Sequence, residues 1–204
     1  MVSVKYATKD ELRRELLRAR SNMTPDQHEA EATALRRHLP AVVEAGQTIC
    51  AYVPVAAEPG DLDFVDDLRQ LGATVLLPVT RLDEAGAAMA LQWGQYRPGG
   101  LVRARYGLWE PVAPWRSAAA VAEAAAVLVP ALAVDRTGVR LGRGAGYYDR
   151  SLDSADPSAR LIAVVRDEEL VDRLPAEPHD VRMTHALTPG RGLVTLAATA
   201  RSGE

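Results

Sequence analysis

An apolar run of ten residues, 125–134, constrains the fold of this 204-residue chain more than any other segment. Apart from Pro130 it consists of alanine, valine and leucine, a composition typical of a strand buried on both faces of a parallel sheet. Further strand patterns lie near 48–54, 73–79, 87–93, 160–165 and 183–188. Because helical patterns separate most of these strands, the sequence predicts an α/β fold with three α/β/α layers, in which helices cover both faces of a mainly parallel sheet.

Two capping boxes mark the first helices. The pattern Thr8-Lys9-Asp10-Glu11 opens an amphipathic helix that we expect to end near Arg20. The pattern Thr24-Pro25-Asp26-Gln27 opens a second helix, which we expect to reach about Glu44. The buried face of the first helix is expected to contain Leu12, Leu16 and Leu17. Further helices are predicted near 61–71, 117–124 and 144–153.

The middle of the chain, 83–114, carries few helix signals and contains the pair Gly99-Gly100. We therefore expect a hairpin and long loops there, which form a lid or a wall of the functional site. No internal repeat is evident. We expect residues 1–196 to form one domain, long enough to bury a substantial core, and 197–204 to be a frayed tail.

Composition excludes several classes of function. The net charge of −3 gives the chain no general attraction to nucleic acid or to an anionic membrane, so anion binding has to be local. Cys50 is the only cysteine, which excludes an intrachain disulfide and a cysteine-based metal site and indicates a buried thiol. The sequence has no run of about 18 apolar residues and no leader pattern. We expect a cytoplasmic monomer that binds neither nucleic acid nor membrane.

The segment 138–150 combines three closely spaced glycines with three arginines, two tyrosines and a carboxylate. Glycine permits a positive φ, which turns backbone N–H groups toward an anion, and arginine matches the geometry of phosphate oxygens. Asp149 supplies the hard oxygen ligands that magnesium prefers. The segment lies between a strand and a helix, so a polyphosphate-binding loop is one interpretation and a flexible surface turn is the other.

The glycines fit neither of two common nucleotide-binding motifs. A P-loop ends in Gly-Lys-Ser/Thr, whereas Gly146 is followed by two tyrosines. A dinucleotide fingerprint requires glycine where Tyr147 stands, and only 37 residues follow Asp167, too few for a second nucleotide-binding half.

Other candidate residues have two interpretations each. Lys9 and Arg13 lie four positions apart on one face of the first helix, where they form either a solvated basic face or a ligand contact. Glu58 follows a strand end, a common place for site residues in open α/β sheets, but a plain surface carboxylate also fits. His28 and His38 are expected on the surface of a helix.

Several residues are expected to have structural roles only. Arg14, Arg18 and Arg20 are assigned to the solvated face of the first helix. At least two of Trp93, Trp109 and Trp115 are expected to pack in the core or an interface rather than on a ligand. His179 and His185 lack partners at metal-ligand spacing, which argues against a zinc site. The sequence has no Gly-x-Ser-x-Gly elbow, and nothing in it suggests a covalent serine or cysteine nucleophile.

The glycine segment resembles the 5-formyltetrahydrofolate cyclo-ligase family, also called 5,10-methenyltetrahydrofolate synthetases. The resemblance rests on Val129-Pro130-Ala131-Leu132-Ala133-Val134-Asp135, followed by Arg140-Leu141-Gly142-Arg143-Gly144-Ala145-Gly146-Tyr147-Tyr148-Asp149. Weaker landmarks follow the family's order along nearly the whole chain: Lys9-x-x-Leu12-Arg13, Tyr52-Val53-Pro54 with Glu58, Leu77-Pro78-Val79, Gly107-Leu108-Trp109-Glu110-Pro111, and Leu174-Pro175 with His179-Asp180. Pro59 departs from the small aliphatic residue that usually follows the glutamate.

The resemblance implies a fold similar to that of sugar-phosphate isomerases and CoA transferases. It also implies an ATP- and magnesium-dependent ligase that converts 5-formyltetrahydrofolate to 5,10-methenyltetrahydrofolate through a phosphorylated formyl group, with release of ADP and phosphate. By the same resemblance Arg143 and Asp149 are catalytic, and Asp149 and Asp180 hold Mg²⁺. The implied ATP contacts are Lys9, Arg13, Arg140, Leu141, Gly142, Arg143, Gly144, Ala145, Gly146, Tyr147 and Tyr148. The implied folate contacts are Val53, Glu58, Arg143, Gly144, Ala145, Gly146 and Tyr147.

Two other classes of function remain open. A non-catalytic folate- or nucleotide-binding relative is expected to lack Lys9, Glu58 or Asp149, and all three are present. A sugar-phosphate isomerase-like or CoA-transferase-like enzyme on the same fold needs a carboxylate base or nucleophile rather than ATP contacts at both ends of the chain, and fold alone does not decide between them.

Overall fold

The computed structural model describes residues 8–177 and 180–197. Its α-helices are α1 (Lys9–Ser21), α2 (Pro25–Arg36), α3 (Leu62–Gln70) and α4 (Tyr147–Leu152). Short 3₁₀ helices span Leu39–Ala41, Arg105–Gly107, Ala118–Glu123 and Asp167–Glu169. Thr8 and Thr24 cap the first two helices as predicted, because each hydroxyl accepts a hydrogen bond from the backbone N–H three residues on.

The strands of the central sheet are β1 (Thr48–Cys50), β2 (Thr74–Val79), β3 (Gln92–Gln95), β6 (Trp115–Arg116), β7 (Ala126–Pro130), β10 (Arg160–Val164), β12 (His185–Thr188) and β13 (Gly192–Thr195). They lie in the order β13-β12-β10-β7-β1-β2-β3-β6. The five strands from β12 to β2 are mutually parallel, and antiparallel strands extend both edges. This is the predicted α/β fold with a mainly parallel sheet.

Two smaller sheets lie beside the central one. One contains β8 (Ala133–Asp135), β9 (Arg140–Leu141) and β11 (Leu170–Val171), and the other is the hairpin of β4 (Leu101–Arg103) and β5 (Trp109–Pro111). The small sheet explains why the apolar run 125–134 is two strands rather than the predicted one. After Pro130 the chain leaves the central sheet, and β8 pairs instead with β9 and β11.

Other differences from the predicted elements have local causes. The second helix ends at Arg36 rather than near Glu44, because Pro40 has no N–H to continue the helix, and a 3₁₀ turn follows. The predicted helix near 117–124 is a 3₁₀ helix whose N-cap, Ser117, makes no side-chain capping bond. The strand expected near 87–93 is displaced to β3, which pairs with β2 in antiparallel register.

The core lies on both faces of the central sheet, because successive strand residues point to opposite sides. In β1, Ile49 belongs to one buried cluster and Cys50 to the other. On α1, Leu12 is buried and Leu16 packs against it, but Leu17 is 40% exposed, so its predicted burial is wrong. Within the described ranges, the helices lack the combination of length and apolarity that a membrane span requires. Most of the predicted tail, 198–204, lies outside the described residues.

Candidate functional site

A cavity of about 480 Å³ opens at the carboxyl ends of three neighbouring strands, β2, β1 and β7. Its lining includes Val53 just after β1, Pro78 within β2 and Pro130 at the end of β7. A second part of the lining is the glycine loop, 142–146, and its continuation into α4 as far as Asp149. The β4–β5 hairpin supplies a third part, so the middle segment forms a wall of the cavity. In parallel sheets this edge is the usual ligand site.

The glycine loop joins β9 to α4, so the chain enters it from the small sheet rather than from the core strand β7. Gly144 and Gly146 have φ values of 98° and 75°. These values lie in the left-handed region that only glycine adopts readily, which explains the glycines at both positions. Arg143 lies between Gly142 and Gly144, and its side chain is about half exposed.

An ion pair joins the two ends of the loop. Nη2 of Arg140 lies 2.5 Å from Oδ1 of Asp149, and the guanidinium carbon of Arg140 lies 5.7 Å from the ring centre of Tyr148. The N-cap of α4 is Gly146, so Asp149 does not cap the helix. Among the described residues, Oδ2 of Asp149 accepts no hydrogen bond. Nε of Arg140 and the Tyr148 hydroxyl are buried and lack a partner there as well. The loop therefore presents polar atoms beside the cavity.

The first helix contacts this loop, and its basic residues are not simply solvated. Nε of Arg13 donates a 3.0 Å hydrogen bond to the carbonyl of Gly142. Nζ of Lys9 lies 2.9 Å from Glu177 Oε2 and 3.1 Å from Asp180 Oδ2. Burial lowers the pKa of Lys9, but the bonds to the two carboxylates outweigh this effect, so the pKa is raised. Residues from both ends of the chain thus meet near the loop.

Glu58 lies in the cavity with its carboxylate largely buried. Oε2 accepts a 3.1 Å hydrogen bond from the backbone N–H of Val55, and Oε1 lies 3.1 Å from Nη2 of Arg143. Burial raises the pKa of Glu58, and the positive charge of Arg143 offsets part of the rise. The carbonyl of Pro59 accepts a hydrogen bond from Tyr52, so the proline leaves Glu58 within the cavity wall.

Two histidines differ from the prediction of plain surface residues on a helix. His28 lies on α2 but is partly buried, and its Nε2 is 2.9 Å from the carbonyl oxygen of Glu58. His38 lies beyond the end of α2, and its Nε2 is 2.9 Å from the carbonyl oxygen of Pro189. The contact of His28 helps to hold the segment that carries Glu58. Neither contact could be predicted from the sequence, because each histidine binds a backbone carbonyl of a residue that is distant along the chain.

Arg20 contradicts its assignment to the solvated face of α1. It is only 4% exposed, it lines the cavity, and both its Nε and Nη2 lie 2.7 Å from the carboxylate of Glu169. Glu169 also accepts a hydrogen bond from the backbone N–H of Arg166, whose Nη1 donates to the carbonyl of Ala57. The signal that could have placed Arg20 correctly is its position eight residues after Leu12, on the buried face of the helix.

Of the three tryptophans, Trp109 lines the cavity, and so does Glu110. Trp93 is fully buried, as expected for a core residue, and Trp109 lines the cavity with the guanidinium of Arg103 4.2 Å from its ring centre. Glu110 belongs to a family landmark in the sequence but was given no role at the site. Its buried Oε1 accepts hydrogen bonds from the N–H and the hydroxyl of Thr80, which fixes the end of β2 against the hairpin. Trp115 is exposed and stacks with Arg81 rather than in the core.

Within 8–177 and 180–197, no three histidine, cysteine, aspartate or glutamate side chains are grouped so that they could hold a metal by themselves. Asp180 does not line the cavity, and both of its oxygens bond to Lys9, while Oδ2 also accepts from the N–H of Glu177. His185 lies on β12, where burial lowers its pKa, and His179 lies outside the described residues.

Comparison with known proteins gives a consistent result. A sequence model of the 5-formyltetrahydrofolate cyclo-ligase family matches residues 5–189. A 5-formyltetrahydrofolate cyclo-ligase of Mycolicibacterium smegmatis is 57% identical over 189 residues, which cover 93% of this chain and 97% of the relative. The enzyme of that name from Escherichia coli is 28% identical over 178 residues, covering 84% and 95% of the two chains.

Two solved structures share the fold. The NMR structure of Aquifex aeolicus 5,10-methenyltetrahydrofolate synthetase superposes with a TM-score of 0.75 at 23% identity and covers 96% of each chain. A 5,10-methenyltetrahydrofolate synthetase from Mycoplasma pneumoniae has a TM-score of 0.60 at 20% identity and covers 86% of this chain and 94% of its own. The overall fold described above is therefore that of a known architecture.

Proposed function

This chain belongs to the 5-formyltetrahydrofolate cyclo-ligase family and is an enzyme of that kind, and we propose that it converts 5-formyltetrahydrofolate to 5,10-methenyltetrahydrofolate at the expense of magnesium-bound ATP. The observation that carries the proposal is the contact between Glu58 and Arg143 inside one cavity. A carboxylate suited to the N–H groups of a pterin and a guanidinium suited to phosphate lie 3.1 Å apart. The proposed reaction likewise requires the formyl group of the folate and the γ-phosphate of ATP to lie in contact.

In the first proposed step, the formyl oxygen attacks the γ-phosphorus of ATP, and the bond from phosphorus to the β-phosphate oxygen breaks as ADP leaves. The chain supplies positioning and charge neutralisation. Backbone N–H groups of the glycine loop and the guanidinium of Arg143 face the transferring phosphoryl group, while Arg140 and Arg13 hold the loop in place through Asp149 and Gly142. Lys9 contacts the outer phosphates from α1.

In the second proposed step, N10 of the folate attacks the activated formyl carbon. The carbon–oxygen bond then breaks, phosphate leaves with the electron pair, and N10 loses its proton, so that the new ring carries the methenyl cation. This route needs no protein nucleophile, which agrees with the absence of a serine or cysteine nucleophile motif in the sequence. Val53 and Tyr147 lie in the cavity wall, where they contact the folate and limit the access of water to the activated group.

The carboxylates beside the glycine loop determine whether magnesium fits there. Magnesium in phosphoryl-transfer sites commonly takes one or two carboxylates and completes its shell with phosphate oxygens and water. Asp149 suits this role, because it lines the cavity and its Oδ2 accepts no bond from any described residue. When bound, the ion neutralises charge on the β- and γ-phosphates. Asp180 fits less well, since its oxygens hold Lys9; its role at magnesium stays a prediction.

The test is an assay of the purified chain with 5-formyltetrahydrofolate, ATP and magnesium, which follows the ultraviolet absorbance of the methenyl product and the release of phosphate. We expect one phosphate per methenyl group formed and no product when ATP or magnesium is omitted. Product without ATP, or phosphate release without folate turnover, would contradict the proposed reaction. The expected setting of the enzyme, a cytoplasmic monomer without nucleic-acid or membrane partners, stays a prediction.

A further inference from the structure

A buried arginine lies in the cavity wall without a part in the reaction described above. Arg20 donates from Nε and Nη2 to the two carboxylate oxygens of Glu169, both at 2.7 Å, and Nη2 also donates to the carbonyl of Ala131 at 2.6 Å. These bonds fix the plane of the guanidinium. Its remaining nitrogen, Nη1, makes no hydrogen bond with any described residue, although Arg20 is only 4% exposed and lines the cavity.

The pair with Glu169 compensates the charge of Arg20 but does not explain why a charge is there. A buried ion pair is on average no more stabilising than two apolar side chains of similar size, because both charges lose their hydration. Packing alone would therefore be served equally well by two aliphatic residues. The carboxylate of Glu169 is held in turn by the backbone N–H of Arg166, 2.8 Å away, so the guanidinium has a fixed support. A donor held this rigidly suits the recognition of an oxygen on a ligand.

The chemistry of the ligand follows from the neighbour of Arg20. Arg20 and Glu58 line the same cavity and are both largely buried, so one ligand can meet a guanidinium and a carboxylate there. In a pterin the two donors that suit a carboxylate are N3–H and the 2-amino group. The atom next to N3 on the same edge is the 4-oxo oxygen, an acceptor that needs a donor beside the carboxylate.

We propose that Nη1 of Arg20 donates a hydrogen bond to the 4-oxo oxygen of the pterin, which makes Arg20 a residue that determines specificity for the oxo-pterin ring. The inference rests on the proposed function, because it takes Glu58 as the partner of N3–H and the 2-amino group. The bond forms in the substrate complex and persists unchanged during phosphoryl transfer. Its loss should therefore weaken binding of the folate and leave the rate of the chemical step nearly unchanged.

The test uses the variant Arg20→Met with Glu169→Gln. This variant leaves no uncompensated buried charge, and the amide oxygen at 169 can still accept from the N–H of Arg166. We expect the Kd for 5-formyltetrahydrofolate without nucleotide and the KM for this substrate to rise about 10- to 100-fold, the usual range for a bond to a charged donor. The kcat and the KM for ATP are expected to stay within about 3-fold of wild type.

Two further variants accompany the double variant. Arg18→Met removes an exposed arginine from the same helix and is expected to bind 5-formyltetrahydrofolate within about 3-fold of wild type. Arg20→Lys keeps the charge opposite Glu169 but cannot place a second donor in the cavity. It should show the loss of folate affinity even if the double variant fails to fold.

Comparing the affinities for two ligands that differ only at position 4 of the pterin provides a measurement that would not change if Arg20 had a purely structural role. The wild type should prefer tetrahydropterin to its 4-thioxo counterpart, since sulfur is a weaker acceptor, and this preference should disappear in Arg20→Lys and in the double variant. Normal folate affinity in both of these variants, an equal loss in Arg18→Met, or a fall in kcat at unchanged KM would each overturn the role of Arg20. A wild type that binds no folate and forms no product would instead overturn the proposed function itself.

Discussion

Nη2 of Arg143 lies 3.1 Å from Oε1 of Glu58, so the glycine loop and the loop after β1 are joined by one ion pair inside the cavity. Arg143 belongs to the segment assigned to phosphates and Glu58 to the segment assigned to the pterin. A change at either residue alters the electrostatic surroundings of the other. The affinities for folate and for ATP therefore have to be measured separately in every variant of this pair.

Glu58→Gln should impair folate binding more than ATP binding. The amide has the shape of the carboxylate but lacks the charge that pairs with the pterin N–H groups, a contribution of roughly 1.5–3 kcal/mol. We expect the Kd for 5-formyltetrahydrofolate, measured by calorimetry, to rise about 10- to 100-fold. An unchanged folate Kd would place the pterin elsewhere in the cavity.

The pH dependence of folate binding provides a separate check on Glu58. Burial raises the pKa of its carboxyl above the ordinary 4.5, and the charged form is the one that binds. Affinity should therefore be full at neutral pH and fall as the pH is lowered through this raised pKa. In Glu58→Gln the acid limb should be missing. Arg143→Gln removes a charge that lowers the pKa, so it should move the limb to higher pH; a shift to lower pH would contradict this electrostatic account.

Lys9→Ala and Arg13→Ala should weaken the use of ATP without unfolding the chain, because the packing of α1 depends on its apolar face. We expect the KM for ATP to rise about 10- to 100-fold in each variant, from the loss of a bond to a charged group. The matched control is Arg18→Ala, which removes an exposed arginine from the same helix. Steady-state rates at limiting ATP decide the outcome. Normal KM values in both variants would restrict these residues to holding the loop and Asp180.

Asp149→Asn should lower turnover while leaving the melting temperature within a few degrees of wild type. Asp149 does not cap α4, and although Arg140 is buried, the asparagine oxygen can still accept its hydrogen bond, so the structural cost of the change is small. If the carboxylate holds magnesium, kcat should fall roughly 100-fold, as for loss of one group that stabilises transition-state charge, and more magnesium should be required.

The control for Asp149→Asn is Asp153→Asn, which removes an exposed carboxylate at the other end of the same helix and should leave turnover unchanged. Both variants are assayed over a range of magnesium concentrations. Full activity of a folded Asp149→Asn protein at low magnesium would contradict the assignment.

Magnesium-ATP should raise the melting temperature, whereas ATP with a chelator should do so much less. A ligand at roughly 100 times its Kd adds about 2.7 kcal/mol to the free energy of unfolding. For a chain of this size that corresponds to about 5 to 10 °C. Scanning calorimetry with ATP, magnesium and a chelator in all combinations measures the effect. Equal shifts with and without metal would show that the nucleotide binds independently of the ion.

Much of the fold follows from the sequence because its strands are strongly apolar and its first helices begin at the N-caps Thr8 and Thr24, although the full capping box forms only in α2. The end of α2 could also have been predicted, because Pro40 is visible in the sequence and cannot continue a helix. The division of the run 125–134 could not be predicted, because β8 finds its partners β9 and β11 in distant, short segments. Strands of two or three residues are set by tertiary pairing rather than by local pattern.

Of the residues assigned to the site, those of the glycine loop stand together in one segment, and residues 142–149 do line the cavity. It was missed where single residues converge from separate elements. Arg20 lies on α1 and Glu169 ends the 3₁₀ helix Asp167–Glu169, and in the sequence each looks like an ordinary charged surface residue. Only their burial reveals the pair, and burial depends on the packing of α1 against the strands.

Cys50 lies fully buried in β1, and burial raises the pKa of its thiol. Such a thiol stays protonated and does not react with maleimides at neutral pH. Because it is the only cysteine, the wild-type chain is already an unreactive background for labelling with a single dye. In the variant Val102→Cys, at an exposed position of the β4–β5 hairpin, the new cysteine would be the one that reacts with the dye. The fluorescence of that dye would report ligand binding beside the cavity, and Cys50 would not have to be replaced.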